Sequence, residues 1–143
     1  MIKLVRQYSV FLPNTPGAIN RFLERFFREG INIIGIASEL TDDAGIVRIT
    51  VDTDKSVSQV LTRDGFTTIE TQMILLELRD KPGMLMRLSA LLSANGINIT
   101  TIYGTTYTGS VGHLLINVTD NPRAVELLKG ELNADDAPPA GTA

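Results

Sequence analysis

The sequence predicts an α+β protein in which one small βαββ-type unit is written twice in tandem. Three observations predict it. Sliding the 143-residue chain by 66 positions brings Pro16-Gly17 onto Pro82-Gly83, Arg21 onto Arg87, and Gly30-Ile31-Asn32-Ile33 onto Gly96-Ile97-Asn98-Ile99. Between 14–38 and 80–104, eight of 25 positions are identical, where unrelated segments of ordinary composition share about one or two. In each copy a helix-spaced apolar face is followed by β-branched runs, and the period changes at the Gly-Ile-Asn-Ile punctuation.

The elements follow in order. Leu4–Leu12 is a β-branched and aromatic run, read as a strand. Pro16 suits a first helical turn, where a fixed φ and a missing N–H cost nothing. Ile19, Phe22, Leu23, Phe26 and Phe27 fall at i, i+3, i+4, i+7 and i+8, the spacing of one buried helix face. Gly30 supplies a left-handed helix stop. Ile31–Glu39 and Gly45–Asp52 read as strands joined by the turn-rich Thr41-Asp42-Asp43-Ala44. In the second of these, Val47, Ile49 and Val51 alternate with Arg48, Thr50 and Asp52, one face buried and one wetted. Val57, Val60 and Leu61 form a short helix ending near Gly65, and Phe66–Thr71 is a fourth strand. The order βαββαβ closes as an antiparallel sheet with both helices on one face, a ferredoxin-like sandwich.

The second copy repeats the pattern through the strand Met73–Leu78, the helix face Leu85, Leu88, Leu91 and Leu92, the strands Ile97–Tyr107 and Val111–Thr119, and a helix opened by Pro122. Where a fourth strand belongs, the chain reads Asn133-Ala134-Asp135-Asp136-Ala137-Pro138-Pro139. Two prolines and few β-formers make this a disordered tail. The expected organisation is 1–71, 72–132 and a tail over 133–143. The second sheet then has three strands, with its first strand left at an edge.

Composition narrows the function. The net charge is −3, which disfavours nucleic acid and anionic membrane as partners. There is no cysteine, so thiol chemistry and thiolate metal sites are excluded. His113 is the single histidine, a weak basis for a metal site. No apolar run approaches the ~20 residues of a membrane span, and the start of the chain lacks the apolar core of a signal peptide, so a cytoplasmic protein is expected. No cofactor is expected. An enzyme is disfavoured, because no Ser/His/Asp set, carboxylate pair or phosphate-type glycine loop is present. An RNA-recognition platform is disfavoured too, because Gly45–Asp52 and Val111–Thr119 hold no aromatic residue.

The segments Asn14-Thr15-Pro16-Gly17 … Gly30-Ile31-Asn32-Ile33 and Asp80-Lys81-Pro82-Gly83 … Gly96-Ile97-Asn98-Ile99 resemble the ACT domain family. In that family a Pro-Gly pair opens the first helix, and a Gly-Ile/Val-Asn triplet follows about fifteen residues later. Gly17 to Asn32 and Gly83 to Asn98 both keep that spacing. The resemblance covers about residues 2–130 and extends to small proteins made of two ACT domains. It implies modules that pair side by side through the second strand, bind an amino acid between a first-strand-to-helix loop and the neighbouring domain, and regulate a separate enzyme or transporter. A homodimer would also cover the unpaired edge.

The loops have chemistry that fits an amino acid. A ligand carboxylate finds N–H donors at the helix starts, Gly17, Ala18 and Ile19 in one copy and Gly83, Met84 and Leu85 in the other. Glycine permits close approach. Asn14 and Asp80, with Thr15 and Lys81 beside them, offer groups for the ammonium and carboxylate, and Asn32 and Asn98 carry amides that both donate and accept. Asn14 and Asp80 serve equally well as caps or turn residues, and Asn32 and Asn98 as helix-exit residues with positive φ. Tyr103 and Tyr107 can line a pocket or simply favour a strand, and Met84 and Met86 can be core or adaptable wall. The alternative function is a ligand-free protein-interaction scaffold.

Overall fold

A computed structural model describes residues 1–40, 44–79, 81–105 and 111–136. Expectations that fall on the turn 41–43, on Asp80, on 106–110 including Tyr107, and on 137–143 lie outside these residues. Six strands and four helices are present among those described: β1 (Ile2–Pro13), α1 (Ala18–Arg28), β2 (Ile33–Leu40), β3 (Ala44–Val51), α2 (Val57–Arg63), β4 (Thr68–Arg79), α3 (Met84–Ala94), β5 (Ile99–Thr105), β6 (Val111–Val118) and α4 (Asn121–Asp136). The chain divides into a first compact unit, Leu4–Met73, and a second that takes Ile74 onward together with Met1–Lys3.

In the first unit the strands are neighbours in the order β2-β3-β1-β4. β1 and β3 are antiparallel, with Tyr8 opposite Ile49 and Val10 opposite Val47. These side chains share one face and pack with Phe22 and Phe26 of α1 and Val57 and Leu61 of α2. Both helices therefore cover the same side of the sheet, as the βαββαβ order requires. Phe22 stacks edge-on against Phe26 and Phe66, with ring centroids 5.2 and 5.3 Å apart. Burial pushes the Tyr8 phenol above its ordinary pKa, since the charged form loses its hydration there.

Two details of the expected core change. Phe27 is 87% exposed: α1 turns only the Phe22–Phe26 stripe fully inward, and the position one residue beyond it looks outward. Thr50, read as wetted, is buried, opposite the equally buried Gln7. Every buried side-chain polar atom among the described residues has a partner, which removes the cost of burying such groups.

The second unit holds the antiparallel neighbours β4-β6-β5. Ile74, Leu76 and Leu78 of β4 pack with Leu88 and Leu92 of α3 and with Val125 and Leu128 of α4. No strand follows α4 among the described residues. The edge of β4 is not bare, however. Glu77 N–H donates to the Met1 carbonyl at 2.9 Å, and Ile2 packs on the second unit's core. The chain's first residues thus occupy the place of the missing strand. The two expected strands Phe66–Thr71 and Met73–Leu78 are one strand, β4, because no glycine or proline interrupts them. The helix α4 runs on to Asp136, into the segment expected to be a disordered tail from 133.

Candidate functional site

The two Pro-Gly loops have nearly the same backbone. Ala18 N–H donates to Thr15 O at 3.2 Å, and Gly17 has φ 84° and ψ −6°. Met84 N–H donates to Lys81 O at 3.2 Å, and Gly83 has φ 84° and ψ −3°. A bond from i to i+3, proline at the second position and glycine at positive φ in the third define a type II turn. This corrects the helical role expected for Pro16: the prolines stand in the turn, the glycines are the N-caps, and the helices begin at Ala18 and Met84. Beyond each turn, the first N–H groups of the helix have no acceptor within it.

At the far ends, Ile31 N–H donates to Phe26 O and Gly30 N–H to Phe27 O, at 2.9 and 3.2 Å. Ile97 to Leu92 and Gly96 to Ser93 repeat the arrangement at 2.9 and 3.0 Å. Both are Schellman stops, with Gly30 and Gly96 at φ 65° and 71°. No non-glycine among the described residues has positive φ, so Asn32 and Asn98 are not left-handed exit residues.

In the second unit the turn opens onto a groove of about 590 Å³, within the range of small-molecule pockets. Leu78, Met84, Leu85, Met86, Ile102 and Leu114 give it apolar walls, and Arg79, Lys81, Tyr103 and His113 contribute to its rim and floor. Leu85 and Met86, parts of a helix read from sequence as core-facing or ambiguous, are 56% and 72% exposed and face this space. Gly104 belongs to the floor. A methyl there would stand 2.4 Å from His113 O, so only glycine lets β5 and β6 run so close. His113 Nε2 lies 3.2 Å from Glu77 Oε1, its cross-strand partner.

The groove brings together four of the expected second-copy residues, Lys81, Gly83, Met84 and Leu85. It does not include Asn98, which stands before β5, where its N–H donates to Thr119 Oγ1 at 3.1 Å and its carbonyl accepts from Thr119 N–H at 3.0 Å. In the first unit Thr15, Gly17 and Ala18 lie in the matching turn and Asn14 and Ile19 flank it, with Ala18 buried and Ile19 39% exposed, and Asn32 is exposed before β2. Met86, read as core or adaptable wall, lines the groove, whereas Leu78, Ile102 and Gly104 were not foreseen at the site. Their signal in the sequence was the repeat itself, because strand residues opposite a helix start border whatever that start binds.

No group of three or more His, Asp or Glu among the described residues is placed to hold a metal, and no described helix is long and apolar enough to cross a membrane. Comparison with known families gives a match to the ACT domain pair over residues 3–133. The chain belongs to the ACT domain-pair family. Among solved structures, this ACT pair is similar to a protein from Bacteroides thetaiotaomicron, at 25% identity and TM-score 0.80, over 91% of this chain and 90% of that one. It is also similar to the ligand-free regulatory subunit of aspartate kinase from Thermus thermophilus, at 16% identity and TM-score 0.65, over 90% and 95%. The regulatory subunit of aspartate kinase from Thermus flavus matches at 16% identity and TM-score 0.61, over 88% and 90%. The last two likenesses concern the fold. No curated protein matches in sequence.

Proposed function

We propose that this ACT pair is an amino-acid-binding regulatory protein of the cytoplasm, without catalytic activity, that acts on a separate enzyme or transporter. The observation that supports it best is the groove beside Gly83, where an apolar wall meets a glycine turn and the donor end of a helix. A free amino acid has two matching parts. Its carboxylate suits the N–H groups of Leu85 and Met86, which follow the Gly83 turn and have no acceptor within α3, and its side chain suits the apolar wall. Asp80 and Lys81 are the polar residues assigned to the rest of the backbone.

The ligand's remaining contacts come from a second copy. Antiparallel pairing of two β5 edges around Ile102 carries Asn98 of one copy to the groove end of the other. The ligand then bridges two chains and favours one pairing, and a partner protein reads that pairing. The regulatory subunits of aspartate kinase among the similar folds support an output of this kind.

Thermal unfolding against the twenty common amino acids at millimolar concentration tests the reading. A ligand at 100 times its dissociation constant adds about 2.7 kcal/mol, which raises the midpoint of a protein this size by several degrees. A shift with one amino acid or one chemical group of them is the expected result. A flat panel removes amino-acid sensing and leaves the scaffold, for which the exposed Ile36 and Leu40 on the edge strand β2 would be the contact surface.

A further inference from the structure

Although the two modules are copies, the structure assigns one ligand site to each chain, in the second unit, and shapes it for an amino acid with a large apolar side chain. This rests on the amino-acid reading above and goes beyond it in site number and ligand class.

The asymmetry begins with one acidic position near the end of the second helix of each copy, Asp64 in α2's C-cap and Glu131 in α4. In the second unit Arg87, on the first turn of α3, forms its ion pair with Glu131. The guanidinium reaches α4, and among the described residues no atom lies within 4 Å of where a methyl on Gly83 would stand. In the first unit the acid is taken by a different residue. Arg25 Nε lies 3.5 Å from Asp64 Oδ2. The residue matching Arg25 in the second copy is Leu91, which cannot compete for the acid. With Asp64 engaged, Arg21 instead lies over its own turn, Nη1 standing 3.0 Å from a methyl built on Gly17. Leu40 closes the neighbouring strand end. Its Cδ2 comes within 2.9 Å of a methyl built on Gly45, the residue matching the groove-lining Gly112. In the first unit Arg21 thus covers the turn glycine whose counterpart, Gly83, no described side chain covers in the second.

Ligand class follows from the walls. Met84, Leu85, Met86 and Ile102 offer hydrocarbon or thioether surface, and their counterparts Ala18, Ile19, Asn20 and Ile36 are on balance smaller or more polar. Methionine adapts its shape to a bulky guest. Each methylene buried against such walls strengthens binding about fourfold, so the groove selects leucine, methionine, phenylalanine or tryptophan over alanine, glycine or serine by more than tenfold. A charged side chain would lose its hydration there without a dedicated partner.

Isothermal titration of the full-length protein with each of L-leucine, L-methionine, L-phenylalanine, L-tryptophan, L-alanine, L-serine, L-aspartate and L-lysine tests both parts. The expected result is one equivalent bound per chain, with an apolar amino acid at least tenfold tighter than alanine. Leu85→Glu and Ile102→Glu, both at exposed positions that leave the core intact, weaken binding more than tenfold. Ile19→Glu and Ile36→Glu, at the matching exposed positions of the first unit, change it less than twofold. Circular dichroism and the unfolding midpoint confirm that all four variants fold. Two equivalents per chain, or loss of binding in the first-unit variants alone, overturns the single site. Preference for serine, aspartate or lysine overturns the apolar class and leaves amino-acid sensing standing. Silence from all eight, together with a flat thermal panel, removes both.

Discussion

Gly83 and Gly17 hold φ at 84°, a value that an L side chain reaches only by crowding its own carbonyl. Among the described residues nothing lies within 4 Å of a methyl at Gly83, so Gly83→Ala isolates the backbone cost. That substitution is expected to lower stability by about 1–2 kcal/mol. Gly17→Ala should cost a similar amount, because the nearby atom is the far end of the Arg21 side chain and can swing aside. Urea unfolding checks this. The midpoint should fall at unchanged slope, the mark of altered stability rather than altered compactness. A neutral Gly83→Ala would show that the turn relaxes to another type. On the proposed function the same glycine also serves binding, since the turn it permits delivers the N–H groups of Leu85 and Met86 to the groove.

At the scale of elements, most of the fold was legible because it depends on local punctuation. The helix stops at Gly30, Gly65 and Gly96, the type of each element and the duplication could all be read from turn chemistry and period. The site was legible in part. The glycine turn and Lys81, Met84 and Leu85 were read from sequence, but the opposing strand wall was not, nor were the partners of Arg21 and Arg87. Those depend on Arg25 and Leu91, one helical turn further on, whose effect appears only when α1 and α3 are set against the following helices. The same limit hid the cover of β4. Met1–Lys3 and Glu77 are far apart in sequence, and no local pattern announces a long-range pairing. The cover has a measurable weight. Ile2→Ala removes apolar surface from the second unit's core and should cost about 1 kcal/mol. Hydrogen exchange at the Glu77 amide should quicken with it, because that N–H is held by the Met1 carbonyl. An exchange rate equal to wild type would mean that the backbone pairing stands without the Ile2 contact.

For the whole molecule, assembly turns on the edge strands. Among the described strands β2 and β5 each have one hydrogen-bonded neighbour, and each exposes an isoleucine, Ile36 at 50% and Ile102 at 51%. An apolar edge of this kind is a liability in a monomer and an asset in a symmetric dimer, where one patch meets its own copy. Sedimentation is therefore expected to show a species of twice the 15.6 kDa chain mass at tens of micromolar. Ligand linkage gives a second expectation. An amino acid held between two β5 edges binds the dimer and not the monomer, so it must tighten self-association by the same factor by which association tightens it. A titration of dimer dissociation with and without the amino acid found in the thermal panel measures that factor. A 15.6 kDa species alone, with ligand and without, would mean that the groove is complete within one chain. Asn98 would then have no part in the site, and any regulatory signal would have to leave through direct contact between the ligand-filled second unit and its target.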